Sequence, residues 1–284
     1  MKRIIFYITA LTLCSALVSG ETNTPVTNTG IDTWITAEAA AAVEMRHIWR
    51  GIEIYGNSEP ALMGYLAAGI KPINLYASAT GSWALADRDD PYYTSLYDQI
   101  AWRLFTDWTF FERMLNVALG ATLYQNTAWA PSHYGAMTFE IFWRVGCPAV
   151  FTHPSLEVYH DLTPNQSGFY WVIDLRETFV IFSLPVDIVF DYGHANGFQK
   201  QGSYRFLQYI FKDPLYAMQD ILPTDLSLSA AVPFTPHPSM RITPYVKITL
   251  TTDKFLTRDP LSFTGGCSVH YLIGATNTTM NRMH

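Results

Sequence analysis

The chain has 284 residues, of which 49% are hydrophobic, 15% aromatic and only 15% charged. The aromatics and a formal net charge of −6 exclude a disordered chain, and an excess of 24 acidic over 18 basic residues argues against a nucleic-acid binder. After residue 20 no apolar run approaches the ~18 residues of a spanning helix, which leaves soluble domains or a single membrane β-barrel.

The first segment reads as an export signal. Lys2 and Arg3 precede an apolar stretch from Ile4 to Val18, and Val18-Ser19-Gly20 supplies small residues for cleavage before Glu21. Cys14 follows Leu13, the wrong context for a lipoprotein. Residues 21–36 are rich in Thr and Asn and predict a flexible segment. The span 37–273 then carries a period-two pattern.

Strands are expected at 38–49 and 61–70, and the third, 73–85, is the clearest. Ile73, Leu75, Ala77, Ala79, Trp83 and Leu85 share one face, opposite Asn74, Tyr76, Ser78, Thr80 and Ser82. Successive side chains of a strand point to opposite faces, so one face is apolar and one polar. Its length exceeds an ordinary strand and suits the ~9–11 residues of a tilted membrane strand. Further strands are expected at 95–105, 114–124, 137–145, 154–161 and 169–176. The last four are expected at 186–192, 224–233, 241–250 and 262–272, making twelve in all.

The connections alternate in length. Long ones are expected at Gly51–Pro60, Asp87–Tyr93, Gln125–Tyr134, Leu162–Ser167 and His194–Thr224. Short ones are expected at Lys71-Pro72, Thr106–Thr109, Cys147–Phe151 and Leu184-Pro185. Transmembrane barrels sort their connections in this way and carry an even number of strands. The stretch 193–222 reads as an extended loop, an inward-folding lid or an additional hairpin that would make fourteen strands. Residues 274–284 form a polar tail.

A soluble β-sandwich or jelly roll is the competing architecture. Against it stand the strand lengths and the aromatics near strand ends: Trp49, Trp83, Trp102, Trp143, Trp171 and Tyr192. Such rings form a girdle at membrane interfaces. The fold class expected is therefore all-β, an antiparallel transmembrane barrel with short periplasmic turns and longer extracellular loops.

If apolar faces meet lipid, polar faces line the lumen. The charges placed there are Glu44, Arg46, Arg103, Glu140, Arg144, Glu157, Asp174, Arg176, Asp187, Asp191 and Lys247. This nearly balanced set suits a salt-bridged interior packing, because lone ions in a low-dielectric wall are costly. It equally suits a constriction that sorts solutes by size and charge. Twelve strands fall between filled eight-stranded and open sixteen-stranded barrels.

Catalytic signatures are sparse. His194-Ala195-Asn196-Gly197 lacks the serine of the H-x-S-N-G context of barrel phospholipases, and G-x-S-x-G, H-E-x-x-H and Walker A sequences do not occur. Among the scattered histidines, His160 and Asp161 are adjacent but on opposite strand faces. The sequence thus points to no enzyme, no cofactor and no metal ligands. Cys147 and Cys267 either pair or remain buried thiols. The partners expected are outer-membrane lipid, its assembly machinery and small solutes.

Three segments carry a family resemblance. Glu44-Met45-Arg46-His47-Ile48-Trp49-Arg50-Gly51 followed by Pro60-Ala61-Leu62-Met63-Gly64 resembles the first hairpin of the TorF-like porins of bacterial outer membranes. The stretch from Pro154 to Asp161 with Gly168-Phe169-Tyr170 is similar to a later hairpin, as is Thr224–Ser229 leading to Ile242–Val246. The resemblance implies a barrel and a transport role, and brings no catalytic residue and no solute. The chain departs from outer-membrane barrels at its C-terminus, where Tyr271 is followed by Leu272, Ile273 and the tail rather than ending on an aromatic. A plugged structural or adhesive barrel and a lipid-acting barrel enzyme are the alternative functions.

Overall fold

The computed structural model describes residues 34–49, 52–53, 60–85, 99–126, 137–162, 168–197, 224–251 and 261–273. The signal segment, most of 21–36, the tail and most of 193–222 lie outside them.

Twelve long antiparallel strands form one closed sheet. They are β1 (Ile35–Glu44), β2 (Ala61–Ile70), β3 (Leu75–Ala84), β4 (Gln99–Phe110), β5 (Leu115–Asn126), β6 (Met137–Gly146), β7 (Ser155–Asp161), β8 (Gly168–Ile181), β9 (Leu184–Gly197), β10 (Thr224–Ala231), β11 (Met240–Thr251) and β12 (Leu261–Ile273). Each pairs with its neighbour in sequence, and β12 pairs back on β1 from Ala37↔Ile273 to Glu44↔Gly266. Closure leaves no long unpaired edge, which a sheet in hydrocarbon cannot tolerate. The short segment Phe234–His237 pairs onto β11, and Ile48–Trp49 pairs with Ile52–Glu53 apart from the barrel.

Every strand inferred from alternation is present, with several changed limits. The first runs 35–44 rather than 38–49, so Trp49 belongs to the separate small hairpin and not to the wall. The expected link at Thr106–Thr109 lies inside β4, and the turn falls at Phe111–Arg113. Likewise Leu184-Pro185 opens β9, and the turn is Phe182-Ser183. At both places the chain turns on non-glycine residues in left-handed backbone. Phe182 and Ser183 have φ of 50° and 67°, the pair of positive values that matches a two-residue hairpin to strand twist. Phe111, Glu112 and Arg113 are also left-handed, which propensity alone disfavours.

The connections at the β2–β3, β4–β5, β6–β7, β8–β9 and β10–β11 junctions span two to eight residues and fall at one end of the barrel with the start of β1 and the end of β12, whereas those at the other end span six to 26. By the sorting of loop lengths the first of these ends is periplasmic.

The outward face is apolar and uncovered. Leu66, Leu104, Leu119, Ile141, Val246 and Phe263 are exposed there, Val246 and Phe263 at 63% and 68%. Toward the extracellular end the face turns aromatic. The Trp171 ring lies 5.4 Å from both Tyr192 and His194, and Trp83 lies over Gly64 and Gly81. Trp34, Phe110, Phe179 and Tyr271 mark the periplasmic end. An apolar band between two aromatic girdles is the outer surface of a barrel that crosses a bilayer.

Candidate functional site: the barrel interior

Strand parity fixes which side chains point inward, and contacts between strands that are not neighbours confirm it. Two such side chains meet only across the concave side of a closed sheet. Arg103 on β4 donates to Glu157 on β7 at 3.0 Å, spanning β5 and β6. Arg144 on β6 reaches Asp107 on β4 at 2.8 Å, and Asn116 on the intervening β5 also donates to Asp107. On the far wall, Arg241 of β11 reaches Asp187 of β9 at 2.8 Å across β10, and Lys247 lies 4.0 Å from Asp191. Arg176 pairs with Asp174 along β8 at 3.6 Å. Ser227 donates to Asp191, and Thr178 to Asp187.

A second group surrounds the start of the first extracellular connection. Past β1 the chain continues along β12: the Met45 amide donates to the Gly265 carbonyl, and Thr264 Oγ1 both accepts from the Arg46 amide and donates to the Arg46 carbonyl. Arg46 and His47 are thereby buried. Glu44 accepts from Tyr245 on β11 at 3.1 Å and meets His47 Nδ1 at 2.8 Å. Lower on the same wall, Glu38 meets His270 Nδ1 at 2.8 Å.

These contacts account for most of the charges assigned to the interior from sequence. Arg103, Glu157, Arg144, Asp174, Arg176, Asp187, Asp191 and Lys247 all stand in inter-residue ion pairs. Glu140 is buried directly opposite Asp161 in the β6–β7 register. Asp107 also faces the interior, on a part of β4 beyond the expected strand end at 105. Glu38, Asp161, Asp225, Arg241 and His270 join it, each sharing parity with an inward residue of its own strand. With these added, the near balance of charge becomes an excess of carboxylates. His160 and Asp161 do point to opposite faces: His160 packs at a tilt against Phe169 outside, with centroids 4.2 Å apart.

An aromatic row crosses this interior. The register sets Gly69, Tyr76, Phe105, Gly120, Phe142, Tyr159 and Tyr170 side by side on seven successive strands, β2 to β8. Tyr76 and Phe105 stack at 5.3 Å, Phe142 and Tyr159 lie 5.8 Å apart, and Tyr159 and Tyr170 6.1 Å. Phe105 and Phe142 meet at 6.3 Å across the glycine strand position, within the range where aromatic pairs attract. The Arg103 guanidinium caps the row, 3.9 Å from the Phe142 centroid and hydrogen-bonded to Tyr159 Oη at 2.9 Å. At its β8 end Tyr170 Oη donates to Asp225 on β10 at 3.3 Å. Period two revealed the polar face but not this row, because the rings are far apart in sequence.

The β3–β8 wall is therefore thick with rings and guanidinium groups. The wall from β10 round to β2 carries mostly small side chains: Ser227, Ser229, Thr249, Ser262, Thr264, Ala40, Ala42 and Ala67. Arg103 joins both features through one planar group, which a lysine cannot replace in geometry. Arg103→Ala removes a charged hydrogen bond, an ion pair and a cation–π contact, so it is expected to cost about 1–3 kcal/mol and to raise single-channel conductance. Arg103→Lys is expected to fall between. Urea unfolding in vesicles and bilayer recordings measure the two effects.

No protein-family model matches this chain, and no curated protein matches it in sequence. Solved structures do match in fold. A KdgM porin superposes with a TM-score of 0.51 at 9% identity, covering 82% of this chain and 98% of that one. A NanC porin gives 0.49 at 10% identity, over 84% and 99%. OmpF of Salmonella typhi gives 0.41 at 7%, over 86% and 99%. At 9% identity the likeness to the KdgM porin is one of fold. The chain is a twelve-stranded antiparallel transmembrane β-barrel of the architecture found in bacterial outer-membrane porins.

Proposed function

We propose that this barrel is an outer-membrane porin through which small solutes pass passively. The observation that carries the reading is the sorting of the two faces. Apolar side chains stand uncovered on the outside, while charged and hydroxyl side chains, held in cross-lumen pairs, face a shared interior. A soluble sandwich would bury its apolar faces against each other. The three segments that resemble TorF-like porins support the same reading, as does a fold shared with porins. Export through residues 1–20, insertion by the outer-membrane assembly machinery and a lipid surround complete it.

The test is reconstitution of the full chain into planar bilayers. Discrete conductance steps are expected, from protein whose electrophoretic migration in detergent shifts on heating. Folded, heat-modifiable protein without conductance at any voltage or salt would overturn the porin reading in favour of a plugged structural barrel.

A further inference from the structure

We infer that the lumen passes small cations in preference to anions. The inference rests on the porin reading and deepens it by naming the class of solute charge. Its ground is the charge balance of the interior face. The cations borne by barrel strands, Arg103, Arg144, Arg176, Arg241 and Lys247, each stand against a carboxylate. Those pairs cancel at close range. Among the described residues the same face carries five further carboxylates, Glu38, Glu44, Glu140, Asp161 and Asp225, against one further cation, Arg46. Asp225 is held by the Tyr170 phenol, Glu44 by the Tyr245 phenol and His47, and Glu38 by His270.

Their placement makes the excess effective. Glu44 and Asp225 lie near the extracellular ends of β1 and β10, and Glu38 lies near the periplasmic end of β1. A permeating ion therefore meets negative potential at both ends of its path. Confined charge in a narrow, low-dielectric wall focuses that potential along the lumen, as carboxylate rings do in cation channels. The formal net charge of −6 over the whole chain has the same sign.

The experiment is a reversal-potential measurement on the full chain in planar bilayers under a KCl gradient at about pH 8, above the ordinary range of imidazole protonation. At about 0.1 M salt, where the screening length is about 10 Å, a K⁺ over Cl⁻ permeability ratio above about 2 is expected. The ratio should fall toward unity at about 1 M, where screening shortens to about 3 Å. Glu44→Gln with Asp225→Asn should lower the ratio at low salt without abolishing conductance. Heat-modifiable migration reports whether that variant is folded, and the salt dependence of the unmodified protein decides the question if it is not. A ratio at or below one in a conducting channel overturns the inference and leaves the porin reading standing. Absence of conductance overturns the porin reading and the inference with it.

Discussion

Leu119→Arg is expected to destabilise the folded protein in lipid by about 2–4 kcal/mol, the cost of a cation near the middle of a barrel's lipid face. Leu119 sits mid-strand on β5, between Thr106 and Trp143 in register, and is half exposed on the outer surface. In a protein surrounded by water, the same substitution at an exposed position would change stability by less than about 0.5 kcal/mol. The contrast separates a lipid belt from a merely exposed surface. Phe182→Arg is the internal control. Phe182 is 96% exposed at the tip of the β8–β9 turn, beyond the girdle, where the penalty should be about 0–1 kcal/mol. Urea unfolding in lipid vesicles, followed by tryptophan emission, measures both. Equal, small effects at the two positions would remove the bilayer from the account of the outer face.

Gly120→Ala is expected to cost about 1–3 kcal/mol through overpacking alone. A Cβ at position 120 would lie 2.5 Å from Phe105 Cβ, 2.5 Å from Phe142 Cε1 and 2.6 Å from the Leu104 carbonyl. No rotamer change removes a clash with a Cβ and a backbone oxygen, so β4 and β5 must separate or the aromatic row must break. Since Arg103 rests on Phe142, the loss should also loosen the Arg103–Glu157 pair and raise conductance noise. Gly265→Ala on β12 is the matched control. Its new Cβ would meet nothing nearer than 3.5 Å, so a change within about 0.5 kcal/mol is expected. The temperature at which the folded electrophoretic band disappears ranks the two variants. Equal temperatures would show that the row contributes no packing constraint.

The two glycines also show how far the sequence could be read. Both interrupt a strand pattern and look alike along the chain. Only the register reveals that Gly120 faces two phenylalanines from different strands, whereas Gly265 faces outward. The ion pairs behave in the same way. Arg103 was legible as an inward residue, because parity is a local property. Its partnership with Glu157, three strands away, was not, because it depends on barrel closure and curvature. Asp107 shows the cost of a misplaced boundary. Ending β4 early hid the partner of Arg144.

The sequence by itself determined the presence of the twelve alternating strands, the face each of their side chains takes and the end that carries the short turns. These follow from period-two alternation and from connection length, both of which act over neighbouring residues. The tertiary structure decided where strands end at left-handed, non-glycine turns, which carboxylate meets which cation, and which rings form a continuous row. Those outcomes depend on the register between strands and on the curvature that brings non-adjacent strands within hydrogen-bonding reach, quantities that no single segment encodes.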